Sequence, residues 1–155
     1  MFVIHFKHAN DKKTILALNI TLMNLPRIIE FHKIGSSDIG YISVAENQKN
    51  VPFEIKRVFW SYHTPDNVVR GRHAHHNTEM VLIATLGRII VNTEMPNGDL
   101  NLFSLESPNQ GLYLPKYCWH TMQYSHIAVQ LVLASELYDE KDYIRSYDDF
   151  KLIKA

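Results

Sequence analysis

The run Arg70-Gly71-Arg72-His73-Ala74-His75-His76-Asn77-Thr78-Glu79 decides how this chain is read. It places two imidazoles two residues apart, with a carboxylate four residues further on. In an extended strand, residues i and i+2 share one face. His73 and His75 then point the same way, roughly 6.6 Å apart at about 3.3 Å of rise per residue. A second block, Gly111-Leu-Tyr-Leu-Pro-Lys-Tyr-Cys-Trp-His120, brings a third imidazole within reach of the same place. Neighbouring histidines in a pocket hold a metal or move protons at neutral pH. Choosing between these is most of the functional question.

Working outward, β-favouring segments recur at short spacing with turn residues between them. The expected strands are 27–33, 41–45, 55–63, 72–76, 80–86, 88–93, 99–105, 112–114, 119–124 and 127–135. The turn Met95-Pro96-Asn97-Gly98 carries the Asn-Gly hairpin signal. The last of these strands is nearly all apolar, as suits burial on both faces. About ten strands with almost no helix predict an all-β sandwich or barrel. One short helix is expected over 143–152, and 13–25 suits either a helix or a strand. No repeat or linker divides the chain, so we read a single domain over 27–155 with an N-terminal extension, 1–26.

Composition narrows the function. The 155 residues are 46% apolar, enough for a core and too many for a disordered chain. Sixteen basic and sixteen acidic residues cancel, and no basic run exists, which argues against nucleic acid as a partner. No apolar run approaches the ~18–20 residues that span a bilayer, so no membrane is expected. The start shows no signal-peptide order. Cys118 is the single cysteine, so no internal disulfide can form, which suits the cytoplasm. We read it as a small buried hydrophobe.

Several strings stand in order and together carry a resemblance: Val51-Pro-Phe-Glu-Ile-Lys-Arg-Val58, Arg70-Gly-Arg-His-Ala-His75, Gly111-Leu-Tyr113, Trp119-His120, Leu133-Ala-Ser135, and the charged, aromatic run from Tyr138 to Phe150. The His-x-His…Glu and Gly…Pro…His pair resembles the two motifs of the cupin jelly-roll superfamily. The full set closely resembles the dTDP-4-keto-6-deoxyglucose 3,4-ketoisomerases of the WxcM-like group, which feed 3-amino-sugar synthesis for bacterial surface glycans such as O-antigens and S-layer glycans. The resemblance implies a cupin jelly roll, a dTDP-4-keto-6-deoxyhexose substrate, no cofactor and a homodimer. The sequence departs from the family in three places. His76 stands where a lysine is usual, Phe59 and Trp60 replace paired tyrosines, and the first ~25 residues have no counterpart.

The implied reaction moves a carbonyl from C4 to C3 by proton transfer through an enediol. The resemblance puts catalytic roles on His73 and His75. Arg70, Arg72 and Arg88 are candidate forks for diphosphate oxygens, and Arg57 is next. Phe59, Trp60 and Tyr62 offer aromatic walls, and Tyr41 and Tyr124 are the phenols to watch. Glu79 and His120 complete the expected substrate contacts. His73, His75, Glu79 and His120 are also the four ligand types of a metal cupin; the resemblance favours the metal-free reading. The run from Tyr138 reads as a terminal strap across the barrel rather than a source of chemistry. Three other readings are a dTDP-sugar epimerase on the same fold, a non-catalytic sugar-nucleotide binder and a metal-dependent cupin. The apolar segment 13–25 is expected at the dimer interface.

Overall fold

Alternation builds the layers. In a computed structural model, which describes residues 24–153, β1 (Arg27–Glu30), β9 (Gln110–Leu114), β6 (Met80–Leu86), β11 (Val129–Ala134) and β4 (Arg57–Ser61) hydrogen-bond in that order as one antiparallel sheet. A second sheet runs β12 (Tyr143–Ile144), β5 (Val69–His75), β10 (Trp119–Tyr124), β7 (Ile89–Glu94), β8 (Leu100–Leu105). A separate ribbon joins β2 (Lys33–Ser36) to β3 (Gly40–Ser43). One short helix, α1 (Tyr147–Lys151), follows β12.

Alternate residues of the two sheets face each other and make the main core, with Leu82, Ile89, Val91, Leu112 and Val132 at its centre. The odd side of β11 does not face solvent. Leu133 packs outward with Val81, Ile83 and Tyr113 beneath Phe31, Val51 and Phe53. That explains the unbroken apolar run: both faces of β11 are buried. On the far side of the second sheet, Ala74 and Trp119 are covered by Ile144 and Phe150. The terminal segment therefore contributes a small third core.

Two expected elements are recut. The strand expected over 27–33 breaks at Phe31, which is 4% exposed and drops into the outer core, its N–H donating to the Asn109 carbonyl at 2.8 Å. β2 then starts afresh in the ribbon. The helix expected over 143–152 begins only at Tyr147, where Ser146 caps it by accepting from the Asp149 N–H. Tyr143 and Ile144 pair instead with His75 and Ala74, because Ile144 gains burial there. The Asn97-Gly98 hairpin forms as expected between β7 and β8. Residues 1–23, including most of the segment assigned to the interface, lie outside the described residues.

Candidate active site

The site begins with a bulge in β5. Arg70 pairs with Met122, Gly71 with Thr121 and His73 with His120, so Arg72 is an extra residue without a partner on β10. Gly71 (φ 84°) and Arg72 (φ 58°) both adopt the left-handed conformation. A Cβ on Gly71 would lie 2.7 Å from the His120 carbonyl oxygen, so only glycine fits. The inserted residue resets the alternation. Arg70 comes onto the same face as His73 and His75, whereas a regular strand would turn it away.

That face opens on a cavity of about 380 Å³ between the sheets, a size suited to a small-molecule ligand. His73 and His75 from β5 meet His120 from β10. Ring centroids are 4.9 Å apart for His73–His75, 4.5 Å for His73–His120 and 6.4 Å for His75–His120. Tyr143 of β12 packs against both β5 histidines, at 5.0 and 4.3 Å. Phe59, Ser61 and Gln130 form the opposite wall, and Arg70 and Arg145 supply positive charge.

Burial keeps the three rings neutral. It lowers the His73 pKa, with the Gly71 backbone opposing it. Burial and the neighbouring His73 bring His75 down to about 4 against the pull of Asp142. His120 falls well below the ordinary range, first through burial and then through His73. Its Nδ1 lies 3.1 Å from the Cys118 carbonyl, which can only accept, so Nδ1 carries the proton and Nε2 is a free acceptor. His73 Nδ1 is buried with no hydrogen-bond partner among the described residues. Three neutral imidazoles in contact offer unprotonated ring nitrogens that can accept a proton transiently from a bound molecule and return it.

Asp142 lies behind His75. Its Oδ2 is 3.1 Å from His75 Nδ1 and accepts from the Thr78 hydroxyl at 2.5 Å and the Thr78 N–H at 3.2 Å; its Oδ1 accepts from the Asn77 N–H at 2.6 Å. Burial alone would raise this carboxyl, but the bonds from Thr78 and Asn77 outweigh it and hold it below its usual value.

The structure brings His73, His75, His120, Arg70 and Tyr124 together around the cavity. Tyr124 donates to Gln130 Oε1 at 2.7 Å, and burial pushes its pKa up to about 12. Arg70 meets Thr64 Oγ1 only at 3.5 Å, which leaves its guanidinium available to a ligand. Arg57 stands beside the cavity, close enough for its charge to act on His75, with Nε buried and unpartnered among the described residues.

Five expected contacts lie elsewhere. Trp60 is 62% exposed because β4 turns Phe59 and Ser61 inward and Trp60 out. Tyr41 sits on the ribbon under Lys33, 4.4 Å from its ring. Arg72 is exposed by the bulge. Arg88 lines a separate hollow with Asp66 and His126, which meets the histidine cavity only through Tyr124. Glu79 accepts from the Tyr113 hydroxyl and lines another hollow with His76 and Tyr117, because the turn after β5 buries Thr78 instead. The four-ligand set His73, His75, Glu79, His120 is therefore not assembled. No group of three His, Cys, Asp or Glu among the described residues is arranged to hold a metal. Cys118 is buried, and burial raises its pKa to about 12, as a small hydrophobe would be.

Asp142, Tyr143, Arg145 and Gln130 were not singled out from the sequence. The alternation of Tyr143 and Arg145 in the terminal run is a strand signal for two of them. Nothing local marks Asp142, whose partners are 64–67 residues away. The terminal strap thus lines the cavity directly, contrary to the expectation that it only covers the barrel.

Two facing antiparallel sheets with a histidine cluster between them define a cupin-like jelly roll. The family described as FdtA, WxcM-like, C-terminal matches residues 23–155, and the chain belongs to that family. It is 42% identical over 126 residues to the TDP-4-oxo-6-deoxy-alpha-D-glucose-3,4-oxoisomerase of Aneurinibacillus thermoaerophilus, covering 81% of this chain and 89% of that protein. The WlaRB TDP-quinovose 3,4-ketoisomerase of Campylobacter jejuni superposes with a TM-score of 0.77 at 39% identity, covering 81% of this chain and 96% of that one. QdtA of Thermoanaerobacterium thermosaccharolyticum, a sugar 3,4-ketoisomerase solved with TDP, gives 0.78 at 34% identity, over 84% and 93%.

Proposed function

We propose that the protein is a sugar-nucleotide 3,4-ketoisomerase that converts dTDP-4-keto-6-deoxyglucose to a dTDP-3-keto-6-deoxyhexose. The observation that carries this reading is the contact cluster of His73 and His75, held neutral in a cavity lined also by Arg70, in a chain of this family. The ketone at C4 acidifies the proton on C3. One β5 histidine removes it as O4 takes a proton, giving the enediol. Loss of the O3 proton and delivery of a proton to C4 then leave the carbonyl at C3. Two protons leave and two return, and no electrons leave the sugar. Arg70 takes the diphosphate, Phe59 offers an apolar wall, and the free Nε2 of His120 accepts a hydroxyl proton. Such a 3-keto product is a substrate for amino transfer.

The protein is further proposed to act in the cytoplasm as a homodimer. A buried, unpaired Cys118 suits a reducing compartment. Val58, Trp60, Leu86 and Ile127 give one sheet an exposed apolar outer face that supports self-association.

Incubation with dTDP-4-keto-6-deoxyglucose in D2O, followed by proton NMR, tests the function. The expected result is a ketone moved to C3 with deuterium at C4. An inverted carbon with the ketone unmoved would make the protein an epimerase. Bound but unchanged nucleotide would make it a binder.

A further inference from the structure

We propose that Asp142 is the positioning residue of this site: it fixes His75 in the tautomer that carries its proton on Nδ1 and presents a free Nε2 to the cavity. The inference rests on the ketoisomerase reading for its kinetic consequence, but its structural half stands without it.

The argument is one of hydrogen-bond supply. The Asn77 and Thr78 backbone N–H groups can only donate, and both point at the Asp142 carboxylate, as does the Thr78 hydroxyl. An ionised carboxylate is acceptor-only. Its remaining partner, His75 Nδ1 at 3.1 Å, must therefore donate. A proton on Nδ1 leaves the lone pair on Nε2, across the ring, and the ring itself lines the cavity. His75 thus enters each turnover as a proton acceptor, and the imidazolium formed is stabilised by the carboxylate behind it. The other groups facing His75 do not perform this task. His73 on its own strand and His120 on β10 are neutral rings, Tyr143 on β12 packs against it with the rings tilted by 59°, and the Arg57 charge on β4 opposes protonation. The strap supplies Asp142 by backbone pairing: the His76 N–H donates to the Asp142 carbonyl at 2.9 Å, and Tyr143 pairs with His75.

Nitrogen-15 NMR of the labelled wild-type protein tests the tautomer without substrate. The expected result is a proton on Nδ1 of His75; a proton on Nε2 overturns the proposal. Asp142→Asn supplies the kinetic arm. With its amide nitrogen in place of Oδ2, where the Thr78 hydroxyl can turn to accept from it and the longer Thr78 N–H bond is given up, the side chain would donate to Nδ1 and move the proton to Nε2. The expected outcome is a kcat lower by about 10²–10⁴-fold, with KM changed less than about threefold and the tautomer inverted. Wild-type kcat, or a loss shared equally by kcat and KM with the tautomer unchanged, overturns it. If the variant fails to fold, the wild-type spectrum still decides. If wild-type protein moves no ketone, the ketoisomerase reading falls while the spectrum judges Asp142 separately.

Discussion

His73, His75 and His120 stand with ring centroids 4.5–6.4 Å apart, so charging one disfavours charging the next. Each ring is therefore most useful as a neutral acceptor that holds a proton briefly. His73→Asn and His75→Asn are each expected to lower turnover by at least ~10²-fold with the fold intact, checked by steady-state rates and circular dichroism. Near-wild-type rates in both would end the proton-transfer mechanism. The same burial has a stability cost in acid. His75 titrates near pH 4 when folded and near 6.5 when unfolded, so the unfolded chain binds more protons between those values. Its contribution is complete above pH 6.5 and lost as pH falls toward 4. From this residue alone, unfolding free energy at pH 5 should be about 2 kcal/mol below that at pH 7. Asp142, lowered when folded, adds a loss in the same direction at still lower pH. Urea titrations at the two pH values check this; equal stabilities would contradict it.

Two elements position these residues, the β5 bulge and the terminal strap. Gly71→Ala sets a methyl 2.7 Å from a backbone oxygen and at a φ of 84°. The expected cost is about 1–3 kcal/mol by thermal or urea unfolding, accompanied by weaker dTDP affinity because Arg70 is displaced from the cavity face. Undiminished affinity in a destabilised variant would separate the bulge from nucleotide binding. Phe150 is fully buried against Trp119 and anchors the strap. Phe150→Ala should cost about 3–5 kcal/mol and lower kcat, since Asp142, Tyr143 and Arg145 all ride on that anchor. Most strands, the hairpin at Asn97-Gly98 and the inward His73 and His75 were legible as alternation and turn chemistry. The bulge was not, because Gly71-Arg72 reads as an ordinary strand start until β10 is laid beside it. Trp60 lies on the solvent side of β4, a choice of face that the sequence of a strand aromatic does not show. Glu79 lies away from the histidine cavity because the turn buries Thr78 instead. Asp142 needed a contact between residues 67 apart in the chain.

At the scale of the whole molecule, the β11–β4 side presents Val58, Trp60, Tyr62, Leu86 and Ile127, each at least 50% exposed. A second copy is the commonest cover for such a face. Light scattering at micromolar concentration is expected to give twice the chain mass, and Trp60→Asp to shift it toward the monomer; a wild-type monomer would remove the dimer. The strap has a consequence in time as well as in space. It follows every other strand in chain order, yet it supplies the carboxylate behind His75 and one wall of the cavity. With both sheets paired but the strap not yet docked, all three histidines would line an open trough, and Ala74 and Trp119 would lie uncovered. Docking of the strap is therefore the step that completes the site, and a barrel without it would carry the histidines without the carboxylate that orients them.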